Sequence, residues 1–283
     1  MMGNITLNDG VQIPQVGFGV FMIPNDGSTY KAVKEALEAG YRHIDTAAAY
    51  FNEEEVGKAV NASGISRSEI FITSKLWLQD HGYDNAKNGI ERSIRKLGTH
   101  IDLYLLHQPY GDVTGAWKAL EEYKSFGMIR SIGVSNMTPN LYKKYVSEFE
   151  SKPSVNQVEC NPFCQQIALR ELMKADDVKL EAYFPLGHGN KELLENEFIR
   201  ELADKYGRDT AQIILRFEVQ DGLIVLPKSS NSGRIKSNIK IFDFELTPEE
   251  MEAMRGLDRG ETSHDPEAPG VEEKLRSTFV IED

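Results

Sequence analysis

The chain has 283 residues, of which 40% are hydrophobic and 27% charged, with a formal net charge of −12. This composition belongs to a globular protein rather than a disordered one, and the negative charge argues against nucleic acid and anionic membrane as partners. The opening Met-Met-Gly-Asn-Ile-Thr-Leu has no basic or apolar secretory region, and no apolar run reaches the roughly 20 residues that cross a bilayer. A cytoplasmic protein is expected. The two cysteines, Cys160 and Cys164, and the six histidines lack the spacing of a zinc site. No metal site is expected, and the cysteines read as free thiols in a reducing compartment.

In chain order, Ile5 to Pro14 predicts a hairpin, with Asp9-Gly10 between alternating apolar residues as a tight primed turn. Strand and helix patterns then alternate. Strands are predicted to begin near Val16, Tyr41, Ile70, Ile101, Ile129, Val155, Lys179 and Leu223. Helices are predicted over Thr29–Ala39, Glu53–Asn61, Tyr83–Leu97, Gly115–Phe126, Pro139–Phe149, Ile167–Lys174, Asn196–Gln220 and Asn231–Ile239. Eight strand–helix units suit a closed α/β barrel, the (β/α)8 or TIM barrel, as a single domain over 1–283. A doubly wound sheet would need a strand, GxGxxG and a helix near its start, and Gly17-Phe18-Gly19 matches only in part. The hairpin would plug the bottom of the barrel. Gly187–Glu197 reads as a polar loop. Beyond Asp243, a helix capped by Thr247 and Pro248 is followed by an irregular, acidic tail over the pocket.

Three polar residues end three successive apolar runs: Asp45, Lys75 and His107. In parallel strands they converge on one rim, where barrels keep their chemistry. Tyr50, in the loop after Asp45, can join them. A carboxylate, an ammonium, an imidazole and a phenol together point to proton transfer, with the phenol as donor. Taken singly, such residues are ordinary surface or core side chains; their shared placement at strand ends is what points to function.

Several stretches carry a family resemblance: Gly40-Tyr41-Arg42-His43-Ile44-Asp45-Thr46-Ala47, Tyr50, Thr73-Ser74-Lys75-Leu76-Trp77, Asp102 to His107, Ile132-Gly133-Val134-Ser135-Asn136, Asn156-Gln157-Val158-Glu159 and Pro227-Lys228-Ser229. From Gly17 to its end the chain resembles the aldo-keto reductases, in the bacterial branch of 2,5-diketo-D-gluconate and glyoxal reductases. The resemblance implies NADPH-dependent reduction of small carbonyl substrates by a monomer, with Asp45, Tyr50, Lys75 and His107 as the catalytic tetrad. A free phenol, with a pKa near 10, is a poor acid at neutral pH. The Lys75 ammonium should lower that value, Asp45 should keep the ammonium charged, and His107 should orient the carbonyl oxygen. The resemblance further implies that Tyr183 stacks on the nicotinamide and that Ser135, Asn136 and Gln157 hold its carboxamide. It also implies that Leu186 lines the same cofactor, that the segment with Lys228, Ser229 and Arg234 binds the 2′-phosphate, and that Asn238 faces the adenine. Lys228 and Arg234 are cations in an acidic chain, and guanidinium suits a phosphate.

The chain also departs from the family. Gln108 replaces the Trp common after the histidine, which favours polar substrates. Phe184 and His188 replace small residues beside the pyrophosphate, and Ser237 replaces a Glu that reaches the adenine. Phe21 and Trp77 are expected as aromatic walls of the pocket. A barrel that binds NADPH as a regulatory or scaffolding subunit is the alternative reading. Such a barrel has no need of Tyr50 beside Lys75.

Overall fold

The structure, a computed structural model, describes residues 3–281. Residues 1, 2, 282 and 283, the outermost of the expected 1–283 domain, lie outside the described residues. The chain opens with β1 (Asn4–Thr6) and β2 (Gln12–Pro14), an antiparallel pair. Next come β3 (Phe18–Gly19), α1 (Ser28–Ala39), β4 (His43–Asp45), α2 (Glu53–Ala62), β5 (Phe71–Leu76), α3 (Tyr83–Leu97), β6 (Ile101–Leu106) and α4 (Val113–Ser125). The alternation continues with β7 (Ile129–Ser135), α5 (Pro139–Val146), β8 (Val155–Glu159), α6 (Ile167–Lys174) and β9 (Lys179–Tyr183). Then follow α7 (Lys191–Leu194), α8 (Glu197–Tyr206), α9 (Thr210–Gln220), β10 (Ile224–Val225), α10 (Ser232–Asn238), α11 (Pro248–Arg255) and α12 (Val271–Thr278).

Strands β3 to β10 pair in sequence order, all parallel. A parallel bridge from Val16 to Val225 closes the ring, with Gly17 N–H donating to the Val225 carbonyl at 2.9 Å. This is the expected (β/α)8 barrel. Every residue of β5 and β6 is buried, as strands covered by helices outside and side chains inside must be. The lower interior is apolar. There Phe71, Leu103, Leu105, Val155 and Ile224 pack against Leu7 and Ile13 of the hairpin. The hairpin therefore plugs the bottom, as expected. Higher up, the inward positions turn polar: His43, Asp45, Thr73, Lys75, Gln157 and Glu181 are all buried. At Gly17 the backbone passes so close that a Cβ would lie 2.6 Å from His43 Nδ1.

Four expectations need correction. The hairpin turn is not the two-residue primed type. Leu7 N–H donates to Val11 O, Gly10 N–H donates to Leu7 O, and Gly10 has a positive φ while Asp9 does not. The loop thus has three residues with Gly in the left-handed position. The predicted helix Asn196–Gln220 is two helices. Gly207, at φ 62°, ends α8, and the Asp209 side chain starts α9 by accepting from Gln212 N–H in a capping box. The Gly187–Glu197 loop contains the single turn α7. The tail is not wholly irregular, since it contains α12. Among the described residues, no helix is long and apolar enough to cross a membrane.

Candidate active site

Strand alternation sets the site. His43 and Asp45 share the inward face of β4, Thr73 and Lys75 that of β5, and Glu181 and Tyr183 that of β9. Each strand thus carries one polar side chain within the barrel and a second nearer its rim. Lys75 is fully buried. Its ammonium donates to both Asp45 oxygens at 2.7 and 2.9 Å and to the Thr46 carbonyl at 2.8 Å. These are its three shortest contacts. The Tyr50 oxygen, which the turn Ala48–Tyr50 brings over the strand ends, lies farther off at 3.4 Å.

Above them opens a cleft of about 950 Å³ at the C-terminal end of the barrel. Every expected site residue borders it except Lys75, which lies beneath the Tyr50 hydroxyl. Asp45, Tyr50, His107, Phe21, Trp77 and Gln108 stand at one part of the cleft. Ser135, Asn136, Gln157, Tyr183 and Leu186 line the middle, and Lys228, Ser229, Arg234 and Asn238 lie beside the β10 end. Aromatic rings wall the first of these parts. Tyr50 lies 4.9 Å from Phe21 and 5.5 Å from His107, and Trp77 lies 5.1 Å from His107, centroid to centroid.

Polar contacts hold the middle of the cleft rigid. Asn136 donates to the His107 carbonyl at 2.9 Å and accepts from the Tyr183 hydroxyl at 2.8 Å. Ser135 donates to the Gln157 carbonyl at 2.8 Å. Four non-glycine residues on the cleft wall, Met22, Asn136, Phe184 and His188, have φ between 52° and 59°, a conformation that strains side chains other than Asn. The Phe184 ring contacts Tyr183, His188 and Phe21 at 5.1, 4.4 and 6.2 Å. The departure from a small residue therefore builds a ring cluster across the cleft.

The electrostatics of the tetrad differ from expectation at Tyr50. Burial raises its pKa above the ordinary tyrosine value; Lys75 pulls it down, Asp45 pushes it up, and the net direction is up. Burial is the largest of these influences and outweighs Lys75, which attracts the phenol and donates to its oxygen across 3.4 Å. Burial is also the largest influence on Lys75 and opposes its charge, but Asp45, by charge and hydrogen bond, and the neighbouring Tyr50 and Glu181 together outweigh it, and the amine stays protonated beyond its usual range. His107 behaves as a neutral ring. Burial, then Lys75, drives its pKa well below the normal histidine value. Its Nδ1 is enclosed without a partner, so Nε2 is the nitrogen left to face the cleft.

Sequence reasoning missed two parts of the site. One is Glu181, fully buried below the rim, which accepts from Gln157 Nε2 at 2.7 Å while the same nitrogen donates to Asp45 at 2.8 Å. The period-two alternation Lys179, Glu181, Tyr183 was its only signal. The other is how the tail, expected over the pocket, is pinned there. Trp77 Nε1 donates to the Phe279 carbonyl at 2.8 Å, and Gln79 bonds both the carbonyl and the N–H of Ile281. These bonds bring Leu275 and Phe279 onto the cleft wall.

Comparison with known proteins bears on this arrangement. The aldo/keto reductase family profile matches residues 15–259. The chain belongs to the aldo/keto reductase family. It is 42% identical over 259 residues to the glyoxal reductase of Bacillus subtilis, covering 91% of this chain and 93% of that protein. It is 40% identical over 260 residues to the methylglyoxal reductase of Escherichia coli, covering 90% and 94% respectively. Among solved structures, an aldo-keto reductase of Bombyx mori in complex with NADP superposes with a TM-score of 0.86 at 35% identity, covering 92% of this chain and 94% of that one.

Within this aldo/keto reductase, Lys75 holds the tetrad together, and its removal would leave Asp45 buried without a counter-charge. Lys75→Met is expected to lower the unfolding free energy by about 3–5 kcal/mol in urea titration. Asp45→Asn combined with Lys75→Met should recover much of that loss. A single variant as stable as the parent would contradict the ion-pair assignment.

Proposed function

We propose that this chain reduces the carbonyl group of small aldehydes, ketones and dicarbonyls, among them methylglyoxal, keto-sugars and aromatic aldehydes, with NADPH, and that Tyr50 donates the proton. The observation that carries this reading is the Tyr50 hydroxyl at the floor of the cleft, 3.4 Å above an ammonium already neutralised by Asp45. A phenol so placed keeps its proton at neutral pH and has a cation beside it when the proton leaves.

The residues present suit the cofactor. Lys228 and Arg234 border the cleft and have no carboxylate partner among the described residues, which fits the 2′-phosphate of NADPH. Ser135, Asn136 and Gln157 offer polar groups for a carboxamide, Tyr183 and Leu186 a flat apolar wall for the nicotinamide, Ser229 a hydroxyl for a phosphate and Asn238 an amide for the adenine. When bound, NADPH supplies the hydride that reaches the substrate carbon. The neutral His107 donates an N–H from Nε2 to the substrate oxygen and so fixes which face of the carbonyl is presented. Tyr50 delivers its proton to that oxygen as negative charge develops there. Lys75 stabilises the phenolate left behind, and Asp45 keeps Lys75 in place. Phe21, Trp77 and Phe279 exclude water from the reacting end. Gln108, with its Oε1 enclosed and unpartnered, leaves its NH2 group as a donor for a substrate hydroxyl or second carbonyl.

Tyr50→Phe should abolish nearly all NADPH oxidation by methylglyoxal while NADPH still quenches the protein's fluorescence. A variant that kept most of its kcat at neutral pH would mean that another group is the acid. Arg234→Ala should weaken NADPH binding by about 1.5–3 kcal/mol, the range for a hydrogen bond to a charged group, and leave NADH binding nearly as it was. Equal losses for the two cofactors, measured by fluorescence titration, would remove Arg234 from the 2′-phosphate site.

A further inference from the structure

We propose that Glu181 is a positioning residue of this site: it locks the Gln157 amide against Asp45, and the gain or loss of its own proton sets how readily Tyr50 releases a proton. The proposal rests on the reductase reading above.

The geometry is a chain of two carboxylates joined through one amide. Gln157 Nε2 has two hydrogen atoms, one directed to Asp45 Oδ2 at 2.8 Å and the other to Glu181 Oε2 at 2.7 Å. Rotation of the amide would turn its oxygen toward both carboxylates. The arrangement therefore fixes its polarity and leaves Oε1 as its free atom, on the cleft that Gln157 lines. Glu181 Oε1 has no hydrogen-bond partner. Its polar neighbour His43 Nε2, at 3.7 Å, is already engaged with Thr73 Oγ1 at 2.9 Å. The titratable and charged groups that face Glu181 are His43 and Asp45 from β4, Lys75 from β5 and, higher up, Tyr50. β8 contributes the neutral Gln157 and β10 the apolar Ile224 in register.

Two carboxylates thus share an interior with a single ammonium, which bonds both oxygens of Asp45 and does not reach Glu181. Glu181 cannot hold an uncompensated charge there at neutral pH. Burial, reinforced by Asp45, pushes its pKa up to about 8. His43 cannot supply the missing cation, since burial drives its pKa down to about 3. At neutral pH the Glu181 proton sits on the unpartnered Oε1. When that proton passes to solvent at higher pH, a second anion forms beside Asp45. The added charge raises the cost of the Tyr50 phenolate, and Tyr50 becomes a weaker donor before it titrates itself.

Glu181→Gln preserves size and an acceptor for Gln157 but cannot titrate. In the parent, kcat for methylglyoxal reduction at saturating NADPH should fall roughly threefold or more between about pH 6.5 and pH 9.5, with a step near 8. In the variant that step should vanish, with little change in KM for methylglyoxal. An identical step in both proteins overturns the proposal. A second measurement needs no turnover. A folded-state pKa of about 8 against an ordinary 4.5 means that the folded chain holds a proton that the unfolded chain releases. That stabilisation is present below the lower value and is lost as pH rises through the higher one. The parent's urea midpoint should therefore fall more steeply than the variant's across this window, and parallel slopes also overturn the proposal. Should Glu181→Gln fail to fold, Glu181→Leu serves the same comparisons, with an added rise in NADPH KM as Gln157 is freed. A parent that reduces no carbonyl at any pH contradicts the reductase reading and the kinetic half of the proposal, whatever the stability slopes show.

Discussion

The Lys75–Asp45 ion pair is the constraint on which the barrel interior depends. An ammonium at zero exposure is costly to bury, and a single carboxylate seldom repays the cost in full. Here the pair is supplemented by the Thr46 carbonyl and by the Gln157 amide on the far side of Asp45. The other ionisable groups of the interior stay neutral: His43 because burial disfavours its cation, Glu181 because burial and Asp45 disfavour its anion. The interior thus balances one cation against one anion. Any further charge, from substrate or from proton transfer, develops where Lys75 is nearest.

The rest of the fold keeps this pair dry and the rim open. The hairpin and the lower apolar residues close the bottom. The strands bring Asp45, Lys75 and His107 to the upper end, and the turn at Ala48–Tyr50 folds the phenol over them. The tail, pinned by Trp77 and Gln79, closes one side of the cleft with Phe279 and Leu275. Strained backbone is found on the cleft wall at Met22, Phe184 and His188, consistent with a surface shaped for a ligand rather than for stability alone.

Much of this was legible in the sequence. The alternation of short apolar runs with helical stretches specified the barrel, because parallel strands covered on both faces leave few polar positions, and those positions end the runs. The convergence of Asp45, Lys75 and His107 followed from strand ends, and Tyr50 from the loop length. Other features depend on contacts distant in sequence. The break at Gly207 was hidden by helical periodicity on both sides. The turn at Asp9-Gly10 matched a two-residue motif that the Leu7–Val11 pairing overrides. The order in α12 comes from docking against residues some 200 positions earlier, as in the Ile281–Gln79 contact. Glu181 escaped notice because a glutamate within a strand reads as solvent-facing until its inward register is known. The sign of the Tyr50 shift was missed because the sequence shows that a lysine is near but not that the phenol is enclosed deeply enough for burial to outweigh it.

That last point bears on the chemistry. A phenol whose pKa were lowered by a free ammonium would be partly ionised before substrate arrived. A phenol whose burial outweighs the ammonium's attraction keeps its proton at neutral pH. The direct test is an ultraviolet pH titration of the phenolate band in the parent and in Tyr50→Phe, whose difference isolates Tyr50 from the other tyrosines among the chain's 11. The difference signal is expected to emerge only above the ordinary tyrosine value of about 10. A signal complete below about pH 9 would contradict it, because Lys75 would then act on Tyr50 more strongly than burial does.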